Sequence, residues 1–169
     1  MLTLNEVKTV EVGRIKPGTL VILRDMSDRM RLGIGAYGID RVPDREPLAA
    51  LVYLDPGRPP EAAPLQSGRV RCVVLGPAAL RVARAVDSFS QDHRFSTAGN
   101  LLIDDAGVRI ICKDAGGGNE QYVHIPTGEI HRPEDMDGVW YVPRWELGIT
   151  EATGEFQKLY EWAPPPQQK

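Results

Sequence analysis

Short apolar runs separated by turn residues recur along the whole chain. The runs are rich in Val, Ile and Leu, and 17 glycines and 14 prolines punctuate them. This pattern is typical of strands and turns rather than of long helices. It predicts a mainly β fold, an antiparallel β-barrel or sandwich with at most one or two short helices. The predicted strands cover residues 8–12, 19–24, 30–36, 48–54, 69–75, 79–86, 101–103, 108–113, 121–125, 139–142, 145–149 and 156–162.

One segment, residues 77–86, is compatible with two elements. Pro77 suits a first helical position, and Arg81 and Arg84 lie one helical turn apart, which favours a helix. Leu80, Val82 and Val86 also alternate, interrupted at Arg84, which is compatible with a strand. The sequence leaves both interpretations open.

Two stretches have the composition of loops or linkers. Residues 55–68 contain four prolines, and residues 87–99 are mostly polar. Loops of this length in a compact domain are usually functional or reach toward neighbours. We therefore expect both loops to take part in contacts.

A weak internal repeat relates the two halves of the chain. If it reflects a duplication, we expect two similar β-lobes at residues 1–86 and 99–162, joined by residues 87–98 and followed by a proline-rich tail, residues 163–169. Hairpins of similar composition also resemble each other by chance, so one continuous domain remains the alternative. In order along the chain, residues 18–22, 31–34 and 52–57 resemble residues 99–103, 109–112 and 123–128.

Length and composition narrow the class of protein. A chain of 169 residues can bury a core without disulfides. Cys72 and Cys112 lie in apolar runs, so we predict buried free thiols. The first residues lack the pattern of a secretory leader, and no apolar run reaches spanning length. We expect no membrane contact and a cytoplasmic protein, or one assembled into a particle formed there.

Charge is unevenly distributed although the net charge is only −3. Residues 1–100 carry a net charge of +3 and residues 101–169 a net charge of −6. This asymmetry is compatible with head-to-tail contact between copies, with packing of the two halves, or with ordinary surface variation. The arginines are scattered rather than clustered, so we expect no nucleic-acid binding.

No motif specifies a catalytic site. Residues 33–38 match G-x-G-x-x-G, but two prolines follow where a dinucleotide-binding fold needs a helix. The glycine-rich residues 114–120 lack the Lys-Ser/Thr ending of a phosphate loop. There is no G-x-S-x-G element. We predict no catalytic residue and no cofactor.

Two of the three histidines flank the turn Pro126-Thr127-Gly128. A two-residue Thr127-Gly128 turn would place His124 directly opposite His131, as half of a metal site. A three-residue loop beginning at Pro126 would instead place the two histidines on opposite faces. The sequence leaves the register undecided.

Residues 126–131, Pro-Thr-Gly-Glu-Ile-His, resemble the second half of the cupin signature, in which a turn presents a histidine to a metal inside a β-barrel. The resemblance covers six residues, and the upstream pair of histidines followed by a glutamate is absent. It implies a metal-dependent enzyme that uses His131, with His124 and Glu129 as further candidate ligands.

Aromatic residues concentrate at the C-terminal end. The pattern there predicts a hairpin over residues 139–162, whose aromatic face must be covered by the rest of the chain or by a partner. Proline-rich polar tails lack the apolar surface to order themselves, so neighbouring subunits are natural contacts for residues 163–169. Six of the eleven aromatic residues lie within the last thirty positions: Trp140, Tyr141, Trp145, Phe156, Tyr160 and Trp162.

These observations predict a non-enzymatic structural or accessory assembly protein that acts through protein–protein contacts. We expect a homo-oligomer or larger assembly, in its most specific form a component of a phage-like particle. One alternative is the cupin-like enzyme. Another is a small-ligand or peptide-binding β module, with a groove between Trp140 and Trp145. The expected contact residues are Trp140, Trp145, Tyr160, Trp162, Pro164 and Pro165.

Overall fold

The computed structural model describes residues 8–24, 27, 29–38, 48–64, 70–82, 88–117, 119–131 and 136–164. It is mainly β, as the apolar pattern predicts: 58% of the described residues are in strands and 5% are helical. Two short 3-10 helices cover Val12–Arg14 and His93–Phe95. The strands are β1 (Lys8–Glu11), β2 (Thr19–Arg24), β3 (Met30–Gly38), β4 (Leu48–Leu54), β5 (Glu61–Pro64), β6 (Arg71–Pro77), β7 (Ala79–Val82), β8 (Leu101–Asp104), β9 (Gly107–Asp114), β10 (Gln121–His124), β11 (Glu129–Ile130), β12 (Trp140–Val142), β13 (Trp145–Thr150) and β14 (Phe156–Trp162).

Six strands form a closed ring in the order β3-β4-β5-β9-β10-β11, with β11 returning to β3. Four of the six pairings are antiparallel, and β5–β9 and β11–β3 are parallel. Strands β2, β6 and β1 extend the sheet beyond one side of β3, and β8 and β12 extend it from β9. Closure pairs the ring strands on both sides, which removes the free edges that an open sheet would expose.

The core lies inside this ring because apolar residues occupy every second position of its strands. One face of a separate three-stranded sheet, ordered β14-β13-β7, joins the same core. From that sheet come Trp145, Leu147, Tyr160 and Trp162. The ring contributes Ile34, Ala36, Val52, Leu54, Ile110, Cys112 and Val123, all buried.

The two halves of the chain follow the same pairing scheme. In strands β2–β7 and again in β8–β13, the first strand pairs with the second and fifth, the second with the third, and the third with the fourth. The fourth strand of each set crosses to the second strand of the other set. The sixth strands, β7 and β13, pair with each other and place Leu80 opposite Leu147.

This scheme matches the weak repeat in the sequence, since its segments fall on β2, β3 and β4 and on β8, β9 and β10. The halves interlock in one ring rather than forming separate sheets. The domain boundary expected at residues 87–98 stays a prediction, and residues 83–87 are outside the part of the chain that the structure describes.

The structure contains two strands that the pattern did not predict. Strand β5 lies within the predicted 55–68 loop, where prolines obscure its short apolar alternation. Strand β11 has only two residues, and its pairing with the distant β3 stabilises it. Within residues 77–86, Pro77 ends β6 and residues 79–82 form strand β7 rather than a helix, because β13 pairs with all four of them. Residues 83–86 lie beyond the described ranges.

The turn between β10 and β11 has neither of the two predicted registers. Val123 pairs with Ile130, and the Gly128 N–H donates to the His124 carbonyl at 2.8 Å. Gly128 has a φ of +69°, and a Cβ there would lie 2.7 Å from the Gly35 carbonyl oxygen. Tertiary packing against β3 therefore sets this turn, which local sequence alone could not indicate.

Cys72 and Cys112 are free and buried, as predicted. Burial raises the pKa of both thiols. In the part of the chain that the structure describes, no helix has the length and apolar character needed to cross a bilayer.

Candidate functional site

The two halves differ in the connection between their third and fourth strands. Residues 125–128 join β10 to β11, whereas the longer segment 55–60 joins β4 to β5. The short connection packs closely on the start of β2, because a Cβ on Gly18 would lie 2.6 Å from the Pro126 carbonyl oxygen. At the corresponding glycine before β8, Gly99, a Cβ would instead overlap the ring of Trp162. The longer connection thus leaves room beside β8, and the C-terminal strand enters it.

Pairing within the three-stranded sheet positions the aromatic end. Trp162 lies opposite Trp145, and a bulge at Leu159 re-aims the end of β14. The Trp145 Nε1–H donates to the Gly99 carbonyl at 2.7 Å. The Trp162 Nε1–H points at Asn100 Oδ1, 3.4 Å away. Trp162 is only 4% exposed, so the core holds its ring in place.

A cleft of about 460 Å³ opens beside Trp162. Its volume falls within the range of about 300–1,000 Å³ that is typical of ligand sites. Aromatic rings and prolines make its apolar surfaces, and a buried amide and a guanidinium add polar groups. The lining residues are Pro59, Arg94, Phe95, Thr97, Ala98, Asn100, Trp162 and Pro164.

Hydrogen bonds fix the wall formed by residues 92–100. The Asp92 carboxylate accepts from the Arg94 backbone N–H at 2.9 Å and pairs with the Arg94 guanidinium at 2.6 Å. This interaction lowers the pKa of Asp92. The buried Asn100 side chain donates to the Phe95 carbonyl at 2.7 Å, and the Ala98 N–H donates to Glu120 at 3.0 Å. The cleft is therefore preformed.

Two of the expected contact residues are core residues. Trp145 and Tyr160 are 2% and 5% exposed, and their rings lie 5.4 Å apart. The Tyr160 hydroxyl donates to the Arg58 carbonyl at 3.2 Å, and burial raises the pKa of that hydroxyl. Because Trp145 is buried, it cannot form the groove with Trp140 that the sequence suggested.

Trp162 is buried to the same extent, at 4% exposed, but unlike Trp145 and Tyr160 it lies at the wall of the cleft. Trp162 and Pro164 both line the cleft. Trp140 is 44% exposed on β12 and is not among the lining residues. Pro165 lies outside the described residues. The structure thus brings Trp162 and Pro164 together in one site.

The metal-ligand candidates lie on the outer face of the ring, because their neighbour Val123 faces the core. His124 contacts the Thr127 hydroxyl at 2.8 Å. His131 lies 3.6 Å from Glu129 through Nδ1 and 3.4 Å from Arg109 through Nε2. No group of three His, Cys, Asp or Glu side chains among the described residues could hold a metal. The cupin resemblance implies a histidine directed into a barrel, and these side chains are not.

A buried ion pair between Arg109 and Asp104 was not expected from the sequence. The Arg109 side chain is 3% exposed, and its Nε has no hydrogen-bond partner within the described ranges.

The cleft combines three regions that the sequence indicated separately. The loop 55–68 contributes Pro59, the loop 87–99 contributes Phe95, and the aromatic end contributes Trp162. Sequence reasoning missed Asn100, since a single polar residue at the start of an apolar run gives no signal of its role. No family model, curated protein or solved structure matches the chain.

Proposed function

We propose that the protein is a non-enzymatic assembly component that binds other proteins by contact, and that the cleft beside Trp162 is its binding site. The proposed ligand is an extended, proline-containing segment. The supporting observation is the composition of the cleft, whose apolar surfaces come from Phe95, Trp162, Pro59 and Pro164. Grooves of aromatic side chains recognise extended proline-rich segments in several unrelated folds.

The apolar rings and carbonyl groups of a proline-rich segment complement the lining of the cleft. A polyproline II segment presents flat apolar rings that can pack against aromatic and proline side chains. It has carbonyl acceptors but few N–H donors, so its polar partners must be donors. The Thr97 hydroxyl and the exposed Arg94 guanidinium at the cleft are donors of this kind.

The cleft wall and a proline-rich ligand are both rigid before they meet, which favours binding. The hydrogen bonds of Asn100, Asp92 and Glu120 hold the 92–100 wall in place before any ligand arrives. Proline-rich segments are likewise close to their bound conformation when free. Association therefore loses little conformational entropy. The phage-like particle stays a prediction, because nothing in the fold bears on it.

The test is a fluorescence-anisotropy titration with a fluorescein-labelled hexaproline peptide. Thr97→Trp should fill the cleft, whereas Thr153→Trp makes the same change at an exposed threonine in the β13–β14 turn. We expect saturable binding by the natural protein and by T153W, and a dissociation constant raised by about tenfold or more for T97W. A glycine-serine peptide of equal length should bind to none of them. Equal hexaproline affinity in T97W and T153W would contradict the proposal.

A further inference from the structure

We infer that the cleft binds the part of the proline-rich tail that follows Pro164, residues 165–169, of a second copy of this chain. This inference rests on the proposed function and names its partner. It predicts a dimer in which two copies exchange their tails. The sequence of the tail, Pro-Pro-Pro-Gln-Gln-Lys, contains the longest proline run in the chain.

The proline-rich tail begins beside the cleft. Strand β14 ends at Trp162, and both Trp162 and Pro164 line the cleft. Five residues, Pro165 to Lys169, follow in the sequence. Every copy therefore carries a proline-rich segment that begins at the rim of the site whose surfaces suit prolines.

Proline geometry disfavours insertion of a tail into the cleft of its own chain. Proline fixes its own φ near −65° and excludes the α region for the residue before it. Residues 163–165 each precede a proline, so a tight reversal into the cleft that Pro164 already lines is unfavourable. A segment disfavoured from reversing into its own cleft can enter the cleft of a neighbouring copy.

A two-fold axis can relate the two copies in such an exchange. The tail begins at the cleft, so one two-fold axis close to this region relates both tails to both clefts. Such an exchange closes after two copies and does not propagate into a filament. Two linked contacts also bind more tightly than one, since the second contact forms within an existing complex.

The test uses two full-length variants in size-exclusion chromatography with light scattering. T97W blocks the cleft and keeps the tail, and the double variant P165G/P166G keeps the cleft and disrupts the proline run. We expect the natural protein and T153W to be dimers, and each of the two variants alone to need about tenfold higher concentration or more to dimerise. An equimolar mixture should recover part of the dimer, because one intact tail then meets one intact cleft.

The outcomes separate this inference from the proposed function. A natural protein that stays monomeric yet binds hexaproline would overturn tail exchange and leave the proposed function standing. The same holds if either variant dimerises as well as the natural protein, or if the mixture recovers nothing. Failure of hexaproline to bind the cleft would overturn the proposed function itself.

Discussion

Substitution of Gly99 by alanine tests how the C-terminal strand is held against the start of β8. Gly99 has a φ of +106°, a conformation that L-residues rarely adopt. A Cβ added at this position would overlap the ring of Trp162, which is itself buried. Alanine therefore introduces backbone strain and displaces a core tryptophan from the cleft.

The two effects have separable magnitudes. An L-residue in a left-handed conformation costs about 1–2 kcal/mol. Removing a large aromatic side chain from a core costs about 3–5 kcal/mol, and a displaced ring loses part of that. We expect Gly99→Ala to lower the free energy of unfolding by about 3–5 kcal/mol. Gly154, with a φ of +83° and open space around it, provides the matched control, for which we expect only the backbone cost.

Urea unfolding followed by far-UV circular dichroism measures both variants. Gly99→Ala should be less stable than Gly154→Ala by about 2–3 kcal/mol, and it should also bind hexaproline more weakly. Equal loss of stability in the two variants would refute the argument, because it would mean that Trp162 does not pack against this glycine.

Further predictions concern buried groups. Asp104→Asn should lower the free energy of unfolding by about 3–5 kcal/mol, because it leaves the buried Arg109 without its carboxylate. The double variant D104L/R109M removes both charges and should be much less affected. Chemical denaturation of both variants measures the two losses. Burial raises the pKa of Tyr160, so above about pH 10 the unfolded state releases its proton first and stability should fall as pH rises. Tyr160→Phe should weaken this alkaline fall, and an unchanged slope of stability against pH would contradict it. Cys72 and Cys112 should react with a thiol reagent only after unfolding, and rapid labelling of the native protein would count against their burial.

The strands were predictable because short apolar runs bounded by turn residues are visible in a single sequence. In β9, for example, Ile110, Ile111 and Cys112 are all buried, Ile110 and Cys112 in the core of the ring and Ile111 in a second apolar cluster. Closure of the ring was not predictable. It depends on the two-residue pairings of β5 with β9 and of β11 with β3, which join segments distant in the sequence.

The cleft was likewise predictable only in part. Composition indicated both long loops and the aromatic end as contact regions, and Pro59, Phe95 and Trp162 come from those regions. Their meeting requires Trp162 to pair with Trp145 and to pack beside Gly99, which are tertiary facts. Which of the buried tryptophans borders the cleft was equally unpredictable, because Trp145 and Trp162 occupy similar patterns in the sequence and both are buried.

The central claim, that proline-containing segments bind beside Trp162, is tested most directly by fluorine NMR. The chain has three tryptophans, Trp140, Trp145 and Trp162, so protein labelled with 5-fluorotryptophan should give three resonances that single Trp→Phe variants assign. Titration with hexaproline should shift the Trp162 resonance and leave that of the exposed Trp140 in place. A shift of Trp140 with Trp162 unmoved would contradict the assignment of the cleft as the binding site.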